Sequence, residues 1–115
     1  MKYGALEAGG TKMVVAVADE GLHILARESI PTLTPAETMP RILDFFRTHQ
    51  PDALGVGSFG PLDLHPASPT YGYITKTPKL AWCDYPLLPE MQKALGVPCA
   101  LDTDVNAAAL CEAEL

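Results

Sequence analysis

Long apolar runs and a basic surface are both missing from this chain of 115 residues. The longest strongly apolar run near its start, residues 13–18, has six residues, whereas a membrane-spanning helix needs about 20. Eight lysines and arginines stand against fourteen aspartates and glutamates, for a formal net charge of −6 at pH 7. This balance argues against a surface that binds nucleic acid or an anionic membrane. An anionic substrate would therefore need local backbone donors or a metal ion.

Cysteine is scarce, and its spacing suits neither a disulfide framework nor a zinc site. The three cysteines are an odd number without a CxxC pair, whereas a secreted disulfide framework normally uses an even set. The histidines lie far from the cysteines in sequence, so we expect no metal ligands in this chain. Glu7 and the pair Gly9-Gly10 fall within the first ten residues, which is unlike a secretory signal peptide. We therefore predict a cytoplasmic protein with reduced thiols.

The first thirty residues predict three consecutive strands. Residues 2–7 alternate weakly in hydrophobicity, residues 13–18 are rich in valine, and residues 22–30 alternate again. Such patterns are typical of buried and half-buried strands. The pair Gly9-Gly10 and the turn at residues 19–21 connect these strands closely, so we expect an antiparallel meander.

The rest of the chain predicts helices that alternate with short buried strands. A helix is expected from its N-cap Thr34 to Gln50, because capping residues precede an apolar stripe at helical spacing. Residues 53–57 and 98–101 are short apolar segments typical of parallel strands. Further helices are expected at 85–95 and in the alanine-rich segment 105–115. The predicted fold is α/β, with a mixed five-stranded sheet formed by the meander and two parallel strands.

Two features concern the loop regions and the extent of the chain. Residues 58–82 contain four prolines, and a loop of this length inside a compact domain is usually functional. The last helix carries Glu112 and Glu114 near its carboxyl end, where the helix dipole disfavours negative charge, and it has no capping residue. We therefore expect the chain to be a fragment of a longer protein.

Three segments could carry chemistry, and each has a structural alternative. Residues 9–12 (Gly-Gly-Thr-Lys) form either a plain glycine hairpin or a tight turn whose N–H groups approach phosphate oxygens closely. Asp104 is either a helix N-cap, for which Asp102 competes, or a ligand-binding carboxylate at the end of a parallel strand. Residues 57–61 are either a rigid turn or part of the same crevice.

In order along the chain, the segments ALEAGGTK, GVGSFGPLD and TDVNAAALCE resemble the motifs of the ROK family of sugar kinases. That family belongs to the actin/hexokinase superfamily of two-domain, ATP-using enzymes. The segment YGYITKTPKLAW is similar to the family's sugar-side segment, and with Glu7 the whole set is most similar to the bacterial fructokinase branch. The resemblance spans nearly the whole chain. It implies an actin-like ATPase (ribonuclease H-like) fold, with residues 1–115 as the amino-terminal domain and the second domain absent.

The resemblance also implies roles for individual residues. Asp104 would be the general base that accepts the proton of the sugar hydroxyl, with Asn106 supporting its loop. Two positions depart from the common family pattern, because Glu7 replaces a frequent aspartate and Thr103 a frequent asparagine. The implied ATP-binding residues are Gly9, Gly10, Thr11 and Lys12, and the implied sugar-binding residues are Gly60, Thr77, Thr103 and Asp104.

The implied activity is ATP-dependent phosphorylation of a hexose 6-hydroxyl, with fructose as the first candidate and glucose, mannose and N-acetylmannosamine as alternatives. Mg²⁺ would neutralise the phosphate charge that this acidic chain cannot. The other interpretations are a non-catalytic, sugar-sensing regulator of the ROK type and a purely structural domain. The partners expected are a small-molecule sugar and ATP, without nucleic acid or membrane.

Two expectations concern the missing second domain. The 115 residues alone should be inactive, because half of the nucleotide site would be absent. The full-length protein should form a homodimer, and a structural zinc is possible only in the second domain.

Overall fold

Five strands and two α-helices make up the part of the chain that the computed structural model describes, namely residues 1–21, 23–58, 63, 65–75 and 80–101. A short 3₁₀ turn, Leu80–Trp82, precedes the second helix. Among these described helices, none is long and apolar enough to cross a membrane. In chain order the elements are β1 (Tyr3–Ala8), β2 (Lys12–Ala18), β3 (Ile24–Pro31), α1 (Pro35–His49), β4 (Ala53–Ser58), α2 (Leu87–Leu95) and β5 (Cys99–Leu101).

The strands form one mixed sheet in the order β3-β2-β1-β4-β5. β1 pairs with β2 and β2 with β3 in antiparallel fashion, whereas β1 pairs with β4 and β4 with β5 in parallel. The predicted meander with two added parallel strands is therefore confirmed. α1 forms the crossover between the meander and β4, as a βαβ unit requires. The helix expected at 105–115 lies outside the described residues.

Both helices cover the same face of the sheet. Leu6, Val15 and Val56 point from three neighbouring strands into one core that also contains Phe46 of α1 and Met91 of α2. Because side chains alternate along a strand, the residues between them face the other way. There the buried side chains are small, and they form a second cluster of Ala5, Val14 and Ala16.

The boundaries of the two helices match the sequence pattern to within two residues. Thr34 is the N-cap of α1, but its hydroxyl donates to the Glu37 carboxylate, at 2.8 Å, and makes no hydrogen bond to a backbone amide. Gln50 ends α1 in a left-handed conformation. α2 begins at Leu87, two residues later than expected, because the carbonyl of Tyr85 accepts a hydrogen bond from the Ile74 amide, at 2.8 Å.

Candidate functional site

One edge of the sheet collects the carboxyl ends of its three mutually parallel strands. Ala8 of β1 pairs with Ser58 of β4, and Val56 of β4 pairs with Leu101 of β5. The segments that follow these strands, which include all the predicted site residues except Thr77, therefore leave the sheet at one edge. Ligands of open α/β sheets bind at such an edge.

Only part of the predicted site falls within the described residues. Gly9, Gly10, Thr11 and Lys12 are described, and they connect β1 to β2 at the edge where the parallel strands end. We call these four residues the glycine hairpin. The predicted sugar-side residues Gly60, Thr77, Thr103 and Asp104, together with Asn106, lie outside the described residues.

The glycine hairpin is a tight connection with two residues at its tip. The amide of Gly9 donates to the carbonyl of Lys12, at 3.0 Å, which leaves Gly10 and Thr11 as the loop. Two-residue hairpins usually adopt turns that require positive φ angles. Neither Gly9 nor Gly10 has a φ in the left-handed region, so the need for such a φ does not explain why both are glycine.

The two glycines differ in the space that is available for a side chain. A Cβ atom on Gly9 would collide with the carbonyl oxygen of Lys12, so the hairpin itself requires glycine there. A Cβ on Gly10 would have no heavy atom within 4 Å. The bare backbone of Gly10 therefore borders open space, which the fold of the described residues does not fill.

The polar groups of the hairpin are available to a ligand. Among the described residues, no hydrogen-bond partner is found for the amides of Gly10 and Thr11. The side chains of Thr11 and Lys12 are exposed, and the ion pairs found in the described part of the chain do not include Lys12. The hairpin thus carries two backbone donors for which the described residues offer no partner, a hydroxyl and an ammonium group, which is a combination that suits a phosphate group.

Glu7 lies on β1, two residues before the hairpin. It is half-buried and alternates with Leu6 and Ala8, so it projects from the face opposite the two helices. In the described part of the chain, no cluster of three or more His, Cys, Asp or Glu could hold a metal ion. A single carboxylate beside a phosphate site is nevertheless compatible with Mg²⁺, which commonly binds through one or two carboxylates, phosphate oxygens and water.

A pinned loop lies between the two segments predicted to contact the sugar. The carboxylate of Asp63 accepts hydrogen bonds from the Ser68 hydroxyl, at 2.6 Å, the Thr70 hydroxyl, at 2.5 Å, and the His65 amide, at 3.0 Å. The Asp63 backbone also bonds to Gly72 and Tyr73. The hydroxyl donors and the amide lower the pKa of Asp63 to about 2. This network joins Asp63, which follows Gly60 in the chain, to residues 68–73, which precede Thr77.

The segment before α2 is fixed at its two ends. Trp82 is fully buried, and its indole Nε1 donates to the carbonyl of Leu33, at 2.7 Å. The amide of Asp84 and the thiol of Cys83 both donate to the carbonyl of Thr75, at 3.1 and 3.0 Å. Thr75, which precedes the segment containing Thr77 in sequence, is therefore attached to the residues just before α2.

Sequence reasoning missed two residues of this edge. Asp63 was not singled out, and neither was Thr32, whose hydroxyl and amide contact the hairpin from the connection between β3 and α1. Asp63 ends the motif GVGSFGPLD, but nothing in that motif indicates its partners, and no periodicity or motif marks Thr32. The partners of both residues lie elsewhere in the chain or within an irregular loop. Burial raises the pKa of the Cys99 thiol to about 11, and both described cysteines are free.

The fold defines the class first: solved ROK sugar kinases share this mixed sheet with helices, the actin-like ATPase fold. Comparison with protein families matches residues 3–115 to the ROK family. The chain therefore belongs to the ROK family, as the sequence motifs indicated.

Individual relatives support the same assignment. The chain is 50% identical over 109 residues to a fructokinase of Pediococcus pentosaceus, covering 95% of this chain and 38% of the relative. It is 47% identical over 107 residues to a fructokinase of Lactococcus lactis subsp. cremoris, covering 93% and 37%. It thus spans little more than a third of these relatives. A ROK family glucokinase from Streptomyces griseus, solved in complex with glucose and AMPPNP, has a TM-score of 0.72 and 25% identity, covering 95% of this chain and 35% of that one.

The low pKa of Asp63 generates a prediction about acid stability. A carboxyl group whose pKa falls from 3.8 to about 2 on folding contributes stability that is complete above the unfolded-state pKa and is lost as the pH falls toward 2. In the full-length protein, the difference in unfolding free energy between wild type and Asp63→Asn should be constant above about pH 5. It should shrink between pH 4 and pH 2. Urea unfolding across this range measures it, and a difference that does not change down to pH 3 would contradict the network.

Proposed function

We propose that the protein containing this chain is an ATP-dependent hexose kinase, and that it transfers phosphate to the 6-hydroxyl of fructose. The family assignment supports a sugar kinase. The relatives named fructokinase are 43–50% identical to this chain, which supports fructose ahead of glucose, mannose or N-acetylmannosamine.

The observation that carries the proposal is the open space at Gly10. Its backbone needs no glycine for conformation and none for packing, so a ligand that approaches the backbone closely is the physical reason for glycine. Free amides at Gly10 and Thr11 and the ammonium group of Lys12 would bind phosphate oxygens of ATP, because such donors are strongest toward an anion. In this proposal Gly9 keeps the hairpin tight enough to present those donors.

The sugar side follows from connectivity. β5 lies two strands away from β1, which is about 10 Å, and Asp104 follows Leu101 by three residues, a reach of at most about 11 Å. The Asp104 carboxylate could therefore meet a hexose bound beside the hairpin. Gly60 and Thr77 flank the pinned loop of Asp63 and would contact the same sugar, together with Thr103.

The proposed chemistry relies on positioning. Phosphoryl transfer passes through a loose transition state, so alignment and charge neutralisation provide most of the rate enhancement. Asp104, with a reference pKa of about 3.9, is ionised at neutral pH and would take the hydroxyl proton late in the reaction. Mg²⁺ would neutralise the phosphate charge when bound with ATP, and Glu7 is the carboxylate next to the hairpin that could orient it.

The substrate is tested on the full-length protein in a coupled assay of ADP release with fructose, glucose, mannose and N-acetylmannosamine. Fructose should give the highest kcat/KM, and the product should be the 6-phosphate by phosphorus NMR. Residues 1–115 alone should give no turnover, since the second domain supplies the rest of the nucleotide site. Fructose ranking last would contradict the proposed substrate, and no turnover with any hexose would contradict the kinase itself.

The general base is tested with Asp104→Asn. Loss of a base should lower kcat by at least about 10²-fold and leave the KM for fructose nearly unchanged. The matched control is Asp102→Asn, which removes the neighbouring carboxylate and should keep kcat within about threefold of wild type. Near-normal turnover of Asp104→Asn, or an equal loss in the control, would show that Asp104 is not the base.

The two hairpin glycines should respond differently to alanine. Gly9→Ala forces a collision with the Lys12 carbonyl and should lower the free energy of unfolding by about 1–3 kcal/mol. Gly10→Ala should leave stability unchanged or raise it by up to about 1 kcal/mol, because alanine restricts the unfolded chain. It should nevertheless raise the KM for ATP by about tenfold, corresponding to about 1.4 kcal/mol of lost binding.

These two variants are compared by urea unfolding and by steady-state kinetics of the full-length protein. The KM for fructose is the internal control and should change little in Gly10→Ala. If Gly10→Ala binds ATP as wild type does, the open space at Gly10 is not a phosphate site.

A further inference from the structure

We propose that Thr32 is a positioning residue that fixes the direction of the Gly10 amide, one of the two proposed phosphate-binding amides of the glycine hairpin, without touching the nucleotide itself. This inference rests on the proposed function for its consequence in ATP binding. Thr32 follows β3 directly and is only 6% exposed. Its hydroxyl and its backbone amide both point to the hairpin.

The two contacts reach opposite sides of the hairpin tip. The Thr32 amide donates to the carbonyl of Thr11, at 3.0 Å, and extends the pairing of β2 with β3 by one step. The Thr32 hydroxyl donates to the carbonyl of Gly9, at 2.8 Å. Thr32 thus binds the carbonyl of Gly9, where the first strand of the hairpin ends, and the carbonyl of Thr11, the second residue of the loop.

Peptide geometry converts these contacts into control of the amides. The carbonyl of Gly9 shares a planar peptide unit with the amide of Gly10, and the carbonyl of Thr11 shares one with the amide of Lys12. In a trans peptide the C=O and N–H bonds point in opposite directions, and no described peptide bond is cis. Because Thr32 draws both carbonyls toward β3, the amides of Gly10 and Lys12 must point away from it. Hydrogen bonds to the carbonyls also polarise the peptide units and strengthen their N–H groups as donors.

The surroundings of Thr32 keep it fixed. The fully buried Thr38 of α1 donates its hydroxyl to the Pro31 carbonyl, at 3.1 Å, and accepts from the Leu33 amide, at 2.9 Å. Both neighbours of Thr32 are therefore tied to the first turns of α1. The branched side chain of Thr32 is itself stiff at χ1. The position of the Thr32 hydroxyl is consequently well fixed.

The test uses the full-length protein with Thr32→Val, which removes the hydroxyl and keeps the shape, and Thr32→Ser, which keeps the hydroxyl. We expect Thr32→Val to raise the KM for ATP by about tenfold, because the net contribution of one lost hydrogen bond to binding is of that size. The KM for fructose should stay within about twofold of wild type. Thr32→Ser should restore the KM for ATP to near the wild-type value.

Thr34→Val is the matched control, because it removes a threonine hydroxyl from the same connection, and that hydroxyl bonds to Glu37 rather than to the hairpin. Both valine variants should lower the melting temperature, and only Thr32→Val should change the KM for ATP. Equal changes in the two variants would reduce Thr32 to a structural residue. A wild-type KM for ATP in Thr32→Val, or failure of Thr32→Ser to restore it, would overturn the inference.

A readout without catalysis separates this inference from the proposed function. In the ligand-free protein, ¹⁵N relaxation of the Gly10 and Lys12 amides should show greater motion in Thr32→Val than in wild type or Thr34→Val. Unchanged order at these amides would overturn the role of Thr32 whether or not the protein is a kinase. Lack of hexose phosphorylation by the wild type, with the expected change in order, would instead overturn the proposed function alone.

Discussion

The parallel pairing of β1 with β4 is the constraint on which the candidate site depends. With Ala8 opposite Ser58, the connection from β1 to β2 and the chain that leaves β4 emerge side by side. A parallel partner is needed for this, since an antiparallel one would place the end of β4 at the far edge of the sheet. The helix α1 supplies the crossover that makes the parallel pairing possible. A hairpin on one side of β1 and a crossover on the other therefore bring the carboxyl ends of β1 and β4 together at one edge of the sheet.

The hairpin shows how far a short motif can be interpreted without coordinates. The sequence predicted a glycine turn between strands and left open whether its glycines serve the backbone or a ligand. The structure gives the two glycines different reasons: a side chain on Gly9 collides with Lys12, whereas one on Gly10 meets nothing. The sequence alone cannot distinguish the two glycines, because the difference depends on the position of the Lys12 carbonyl in the opposite strand of the hairpin.

Local patterns predicted most of the fold and little of the contacts that shape the site. Valine-rich alternation was enough for the meander, and capping residues with an apolar stripe placed α1, because these signals lie within a few residues of each other. The start of α2 was displaced because Tyr85 is held by Ile74 and packs on Trp82. The Asp63 network lies in a segment without periodicity, and the bond from Thr32 to Gly9 joins residues 23 apart. The Thr32 contact arises only once β2 and β3 have paired, and the Asp63 contacts depend on how an irregular loop folds back on itself, so local periodicity could not reveal either of them.

The connection between β3 and α1 links the two halves of the candidate site. Leu33 accepts a hydrogen bond from the Trp82 indole, and its amide donates to Thr38. Thr32, the preceding residue, holds the glycine hairpin. The segment before α2 and the hairpin are thus attached to adjacent residues of the same short connection, Leu33 and Thr32. Since a reaction that depends on alignment loses rate when its groups are displaced by about 1 Å, a shared and rigid attachment would favour the phosphoryl transfer proposed above. Independent loops would each add their own motion to the distance between the proposed phosphate and sugar sites.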